Sequence, residues 1–403
     1  MAETISLLTK YGLNLGQTEN LLLSFLAIYL LYIFIGELFE RIGINELIGQ
    51  ITAGVILGGS LLNFVNPDLI EPFALIGSVL ILYTAGINKK TDSFDLKDTK
   101  SLAIGVIVLL VTFAVMLYVF QFYFSFTQSL FLALAYAVVD LFVPVKVLAN
   151  KKLLSKRFSQ SFINMSMINI LFGLLILSAS SIFINRSSSE LISKLIFSAI
   201  FIVTIYYFIL SINKITNRIN KFKSSTREES QIALTFIILF LFAFLSELIG
   251  LSVIVGAFIA GIVISKSKFA KKKIYTNKIQ AISNGFFIPL FFVWFGLKLD
   301  LILIYEYLPI ALIFIFASII TKFVVTYVLS KQFNLYAPGT IASSMLSLDV
   351  ESLIIILAAI NLGIFTNYEM FDIFAPAVPI TTLVVTFLTG YFVKKEKMQI
   401  LQV

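Results

Sequence analysis

The sequence predicts an all-α protein that crosses a lipid bilayer about thirteen times. Hydrophobic residues make up 59% of the 403 positions and charged residues only 13%, about half the charged share of a soluble domain. Apolar segments of about the length that spans the hydrocarbon core follow one another along the chain. Lys and Arg are concentrated in alternate connections between these segments, which is typical of a polytopic membrane protein.

The predicted spans differ mainly in length. Two short spans, 46–62 and 252–266, contain glycines, which suits close packing between helices because small residues let two backbones approach. Gly54, Gly58, Gly256 and Gly261 are the glycines that we assign to such crossings. The thirteen spans cover about residues 21–37, 46–62, 70–88, 101–120, 127–149, 159–182, 189–213, 230–250, 252–266, 283–300, 307–329, 339–364 and 371–393.

The positive charges predict an extracellular N-terminus and a cytoplasmic C-terminus. In this orientation 24 of the 30 Lys and Arg residues fall in cytoplasmic connections, in agreement with the positive-inside rule. An even number of spans would mix the two sides. Residues 1–20 lack the basic start and apolar run of a removable signal peptide, and the short tail after the last span predicts no soluble regulatory domain.

The absence of two residue types limits the chemistry. The sequence contains no Cys and no His, which excludes disulfides, thiol catalysis, histidine proton relays and the usual zinc, copper or haem ligands. We expect no cofactor, no bound transition metal and no enzymatic activity. The net charge of +8 comes mainly from the cytoplasmic connections. It therefore indicates topology and contact with membrane lipid rather than a nucleic-acid partner.

Four ionisable residues lie deep inside predicted spans. They are Asp140, Lys322, Asp349 and Glu351. A charge at the centre of a membrane helix costs about 2.5 to 3.5 kcal/mol on insertion scales, so such residues mark ion or proton pathways. Asn169 has a similar depth, and all five side chains can share one layer of the bilayer. The sequence therefore predicts a site for a small cation and a proton.

Pro144 predicts a break in the fifth span. Proline lacks an amide hydrogen and clashes with the carbonyl four residues earlier, which here belongs to Asp140. Irregular backbone inside a membrane is tolerated only where it is buried in protein or lines a cavity. Secondary transporters build ion sites from such interrupted helices. The fifth and twelfth spans also run in opposite directions, as an inverted repeat requires.

Several segments resemble the second monovalent cation:proton antiporter family. The resemblance covers nearly the whole chain and is carried by the stretches 38–58, 247–261 and 291–300. These stretches contain the strings LFERIG and GQITAGVILG, ELIGLSVIVGAFIAG, and FFVWFGLKLD.

This resemblance implies the sodium/proton antiporter fold, with inverted repeats whose broken helices cross. It implies one transmembrane exchanger domain over residues 1–403. A mobile core of about 101–182 and 307–393 would work against a scaffold of about 21–88 and 189–300, and the scaffold would form a homodimer. The implied activity is exchange of a monovalent cation, Na⁺ or K⁺, for protons by alternating access in the cell membrane.

The ion-site motifs of the family are only partly present. Its Thr-Asp pair in the broken helix falls on Val139 and Asp140, which keeps the carboxylate. The paired acids of the next helix fall on Asn169 and Ile170, so the acid expected to bind the ion is absent. We therefore predict that Asp140 is the main ion and proton site and that Asn169 supplies a further oxygen.

The twelfth span departs from the family as well. The Arg-Gly-Glu motif falls on Asp349-Val350-Glu351, with an acid in place of arginine, and the family's helix lysine matches Lys322. We predict that Asp349 or Glu351 takes over from the missing acid and that Lys322 supplies the compensating charge. The two acids are expected on one regular helix, facing different directions because they are two residues apart.

Two other classes of function stay open at this point. A degenerate relative could serve as a non-transporting sensor or partner-binding subunit, and a cation channel or uniporter could share the fold. Lys322 with one or two acids could also form a static ion-pair network that only holds broken helices together. Cation-dependent proton movement distinguishes these alternatives, because a sensor shows none and a channel conducts without proton coupling.

Overall fold

The structure is a computed structural model in which every described regular element is a helix. Within the described part of the chain, eight helical segments are long and apolar enough to cross a membrane, and further apolar helices are shorter. The predicted all-α, polytopic class is thereby confirmed, while the number of thirteen spans and their orientation stay predictions. The described residues are 17–41, 46–87, 98–151, 153, 157–184, 203–204, 207–208, 211–212, 214, 227–248, 253–267, 270, 273–348, 350–365 and 369–396.

The helices follow the predicted spans over most of the described chain. Most of the predicted span 189–213 lies outside the described residues. In the first part of the chain the helices are α1 (Gln17–Arg41), α2 (Glu46–Leu57), α3 (Pro67–Ile87), α4 (Thr99–Phe120), α5 (Phe126–Ala137), α6 (Phe142–Asn150) and α7 (Arg157–Ile184). In the second part they are α8 (Arg227–Leu248), α9 (Val253–Ser265), α10 (Lys273–Ile282), a π-helical turn (Ser283–Phe287), α11 (Ile288–Lys298), α12 (Leu301–Gln332), α13 (Pro338–Ser344), α14 (Val350–Asn361), α15 (Glu369–Phe374) and α16 (Ala377–Lys395).

The chain divides into two compact units. The first contains Met1–Leu75, Asp98–Ile170 and Pro289–Val403, and the second contains Ile76–Lys97 and Leu171–Ile288. Every residue predicted for the ion site belongs to the first unit.

Two stretches of the chain show the same succession of elements. In each, a long helix is followed by a helix in two halves and then by further membrane helix: α4, α5–α6 and α7 in one, and α12, α13–α14 and α15–α16 in the other. The first interruption covers residues 138–141, within the predicted fifth span.

The second interruption corrects the sequence analysis. The predicted span 339–364 is not one regular helix, because α13 ends at Ser344 and α14 begins at Val350. Glu351 is in the first turn of α14, and Asp349 lies outside the described residues. The last predicted span, 371–393, is also interrupted, at residues 375–376.

Glycines mark the closest helix crossings, as predicted. In the first unit, a methyl group on Gly54 of α2 would overlap the Val293 carbonyl oxygen and come within 2.8 Å of the Gly296 Cα of α11. In the second unit, a methyl group on Gly261 of α9 would come within 2.9 Å of the Gly86 Cα of α3. At these two crossings the helices meet backbone to backbone, because no side chain separates them.

The core of the second unit is mainly apolar and encloses a cluster of hydroxyl groups. Aliphatic and aromatic side chains of α3, α8, α9 and α10 pack together. Within them, the hydroxyls of Tyr83 and Tyr275 lie 2.9 Å apart, and Thr235 bonds to Tyr275. A buried hydroxyl needs such a partner because water is excluded.

Candidate functional site

The two helix interruptions are joined directly by a backbone hydrogen bond. The Asp140 amide donates to the Ser347 carbonyl over 3.1 Å. On the other side, the Leu348 amide donates to Thr381 Oγ1 of α16 over 3.1 Å. Each interruption therefore satisfies backbone groups that a broken helix leaves open, which is the requirement for irregular backbone inside a membrane.

Asp140 is buried, with 1% of its surface exposed. Its Oδ2 accepts a hydrogen bond from the Val143 amide at 3.1 Å, so the side chain caps the start of α6. Pro144 is the third residue of α6, and the first four amides of a helix have no partner within the helix. The missing amide of Pro144 thus costs nothing there, and the Asp140 carbonyl lies outside the helix, where the proline ring does not clash with it.

Lys322 of α12 faces the first interruption and is completely buried. Its Nζ donates to the Val138 carbonyl over 2.8 Å, a carbonyl that has no helical partner because α5 ends at Ala137. Asp140 is near enough to act electrostatically on the Lys322 side chain. The structure therefore brings together two of the four ionisable residues singled out from the sequence.

Asn169 of α7 contacts the backbone of the same interruption. Its Oδ1 accepts from the Val139 amide at 3.0 Å, and its Nδ2 donates to the Gly105 carbonyl of α4 over 3.4 Å. A methyl group on Gly105 would approach Met165 Cα to 2.9 Å, so a glycine is needed for this close approach of α4 and α7. Asn169 thus joins α7 to α4 and to the backbone of the first interruption.

Two serines of the site were not anticipated from the sequence. Ser318 Oγ donates to the Tyr136 carbonyl over 2.8 Å, and Ser352 Oγ donates to the Ala135 carbonyl over 2.7 Å. Both carbonyls belong to the last turn of α5, whose helical partners are missing. A signal for Ser318 existed in the sequence, because it precedes Lys322 by four residues and so lies on the same face of α12.

Glu351 is buried, with 4% exposure, next to the second interruption. It occupies the first turn of α14, where a carboxylate is favoured by the positive end of the helix dipole. Among the described residues, no group of three or more His, Asp or Glu side chains is arranged to hold a metal ion. The oxygen atoms around the two interruptions belong to carboxylates, to the Asn169 amide and to backbone carbonyls.

The charged residues near the end of α11 form a separate cluster. Lys298 Nζ lies 2.9 Å from Asp68 Oδ1 and 3.5 Å from Glu71 Oε2 of α3. Asp300 caps α12 by accepting from the Ile302 amide at 2.8 Å. These residues fix helix ends and are not part of the two interruptions.

Comparison with protein families and relatives gives one consistent result. The family model described as "Sodium/hydrogen exchanger, transmembrane" matches residues 25–395. A Na⁺/H⁺ antiporter of Enterococcus hirae is 28% identical over 367 residues, covering 88% of this chain and 94% of the relative. The K⁺/H⁺ antiporter 1 of Saccharomyces cerevisiae is 25% identical over 376 residues, covering 85% of this chain and 43% of the relative.

The fold is similar to that of solved structures. The sodium proton antiporter MjNhaP1 from Methanocaldococcus jannaschii matches with a TM-score of 0.64 at 15% sequence identity, covering 95% of this chain and 96% of that one. The family model that matches residues 25–395 decides the assignment. This chain is a multi-pass cell-membrane protein that belongs to the transmembrane sodium/hydrogen exchanger family.

Proposed function

We propose that this protein exchanges a monovalent cation, Na⁺ or K⁺, for protons by alternating access, with Asp140 as the group that carries either one. The observation that carries the proposal is a buried carboxylate at the crossing of two interrupted helices, next to a buried ammonium group. The relatives named as Na⁺/H⁺ and K⁺/H⁺ antiporters support the same activity.

Competition at a single carboxylate couples the two fluxes. The Asp140 carboxylate can hold a proton or coordinate a hard cation, but not both together. An empty, ionised Asp140 is compensated by Lys322, because an uncompensated charge in a low-dielectric interior is costly. Exposure of the loaded carboxylate to one side of the membrane and then the other converts this competition into exchange.

The remaining cation ligands are oxygens near the interruptions. Asn169 Oδ1 uses one lone pair for the Val139 amide, and an amide oxygen has a second lone pair available. Glu351, and Asp349 beside it in sequence, are the acids that we assign as replacements for the absent family acid at Ile170. Lys322 is assigned as the compensating charge because it bonds to the carbonyl next to the site.

The proposal includes the division into core and scaffold that the family resemblance implies. Residues of about 101–182 and 307–393 form the moving core, and those of about 21–88 and 189–300 form the scaffold that pairs in a homodimer. Crosslinking of the purified protein in detergent tests the dimer independently of transport.

Proton flux in proteoliposomes tests the activity. Vesicles with an acidic interior and an internal pH-sensitive dye are challenged with Na⁺, K⁺ or Li⁺, and exchange appears as alkalinisation that depends on the cation. Asp140→Asn is expected to abolish it, whereas Glu306→Gln, at an exposed carboxylate of α12, is expected to leave it unchanged. Wild-type rates in Asp140→Asn would refute the role of Asp140.

The same vesicles separate the other functions. A non-transporting sensor gives no cation-dependent alkalinisation in any condition. A channel or uniporter gives a cation current under an applied potential without a change in internal pH.

A further inference from the structure

The half-helix α13 begins without a side-chain cap of its own. Its N-cap residue is Ala337, which lies in the left-handed region at φ 52° and ψ 59°. The methyl side chain of alanine cannot accept a hydrogen bond. Pro338 follows as the first helical residue and has no amide hydrogen. The next two amides, those of Gly339 and Thr340, therefore need acceptors from elsewhere.

Glu396, immediately after α16, supplies all of these acceptors. Its Oε1 accepts from the Gly339 amide at 2.8 Å. Its Oε2 accepts from the Thr340 amide at 2.8 Å and from Thr340 Oγ1 at 2.7 Å. A carboxylate at the start of a helix is also favoured by the helix dipole. One side chain thus provides the cap that α13 lacks.

Glycine at position 339 makes this contact possible. A methyl group there would overlap the Phe392 ring and approach Glu396 Oε1 to 2.9 Å. Thr340 is completely buried and Glu396 is partly buried, so the bonds between them are shielded from water on the side of Thr340. The start of α13 is therefore attached tightly to the end of α16.

The other end of α13 leads to the ion site. The helix has seven residues and a length of about 10 Å. Within it, the Thr340 carbonyl accepts from Ser343 Oγ at 3.0 Å and from Ser344 Oγ at 2.9 Å. Just beyond it, the Ser347 carbonyl accepts the amide of Asp140 at 3.1 Å. One short helix thus connects the Glu396 carboxylate to the backbone of the ion-carrying residue.

We propose that Glu396 is a positioning residue for the ion site: its carboxylate fixes the start of α13, and α13 fixes the backbone of Asp140. The proposal rests on the role of Asp140 in the proposed function and adds a residue that never touches the ion. Loss of the cap is expected to loosen α13 and to weaken cation binding at the far end.

Two measurements on purified, full-length protein test this inference. The first is hydrogen–deuterium exchange of the peptide that covers residues 337–348. The second is the cation concentration that gives half-maximal proton flux in proteoliposomes. A residue needed only for folding would lower the amount of active protein but leave the half-maximal concentration of the remaining transporters unchanged.

Glu396→Ala removes all three hydrogen bonds. We expect faster amide exchange in residues 339–348 and a rise of about fivefold in the half-maximal cation concentration, the factor that corresponds to loss of a typical N-cap. Glu396→Gln keeps one acceptor oxygen, and its half-maximal cation concentration should rise about threefold. Thr340→Val loses only the hydroxyl bond and should also show a small rise. Glu306→Ala, at an exposed site of α12, is the matched control and should match wild type.

The outcomes separate this inference from the proposed function. Absence of cation-dependent flux in the wild type overturns the proposed function. Normal wild-type flux, together with a half-maximal concentration in Glu396→Ala within twofold of wild type, overturns the positioning role. Unchanged amide exchange in Glu396→Ala overturns it as well. If Glu396→Ala does not fold, the graded order of Glu396→Gln and Thr340→Val decides, and equal wild-type values in both refute the proposal.

Discussion

Replacement of Lys322 by Met tests whether the ammonium group and Asp140 act as a pair. Methionine keeps the length and apolar character of the buried stem but removes the charge and the hydrogen bond to the Val138 carbonyl. If the two groups compensate each other's charge, removal of one of them costs about 3 to 5 kcal/mol, because the other charge is left uncompensated. We therefore expect Lys322→Met to lower the free energy of unfolding by about that amount.

The double variant Lys322→Met/Asp140→Asn isolates the pairing. With both charges absent, the main loss is the donor to the Val138 carbonyl, worth about 1 to 3 kcal/mol for an unsatisfied buried group. Asparagine still offers an oxygen to the Val143 amide, so the cap on α6 is kept. The double variant is therefore expected to be more stable than Lys322→Met alone.

Unfolding in mixed micelles with an increasing fraction of denaturing detergent provides the measurement. Lys331→Met, at an exposed position of the same helix, serves as the control and should shift stability by less than about 0.5 kcal/mol. Additive losses in the double variant would show that Lys322 and Asp140 are independent. The assigned charge compensation would then be wrong.

Three further predictions concern packing and polar contacts. Gly54→Ala should destabilise the protein by more than about 3 kcal/mol, since the helix backbones would have to separate, whereas Gly59→Ala, which meets no atom within 4 Å, should be neutral in the same unfolding assay. Asn169→Leu should cost about 1 to 3 kcal/mol because it leaves the buried Val139 amide without an acceptor, and Asn169→Asp, which keeps an acceptor, should retain more transport in the vesicle assay. Lys298→Met should change stability by less than about 1 kcal/mol, because its main partner carboxylate is 73% exposed; a larger loss would show that this ion pair is not an ordinary surface pair.

The first interruption could be predicted because its cause is local. Proline at position 144 and the charge at Asp140 are both visible in sequence, and the structure places the interruption at 138–141. The second interruption has no proline. It is stabilised by Thr381 and by the amide of Asp140, residues that are distant in sequence, and a pattern of apolar residues cannot reveal partners that arrive from other helices.

The candidate site shows the same division. Burial of Lys322 and Asp140 follows from the cost of charge in lipid, which applies to each residue alone. The acceptor of Lys322 is a backbone carbonyl of another helix, and the sequence contains no sign of which carbonyl a helix end will leave open. The four-residue spacing of Ser318 and Lys322 on α12 was the local signal in the sequence, because it places both polar side chains on the same face of the helix.

The dependence of the first interruption on neighbouring side chains affects how genetic data on this protein are to be interpreted. Four side chains form hydrogen bonds to the backbone of the interruption or of the helix turn before it: those of Lys322, Asn169, Ser318 and Ser352. A screen for loss of transport would therefore recover these positions as readily as Asp140. Residues that coordinate the ion would be identified by substitutions that change the cation preference while transport persists. Residues that only shape the backbone would be those whose substitutions abolish transport but never change the cation preference.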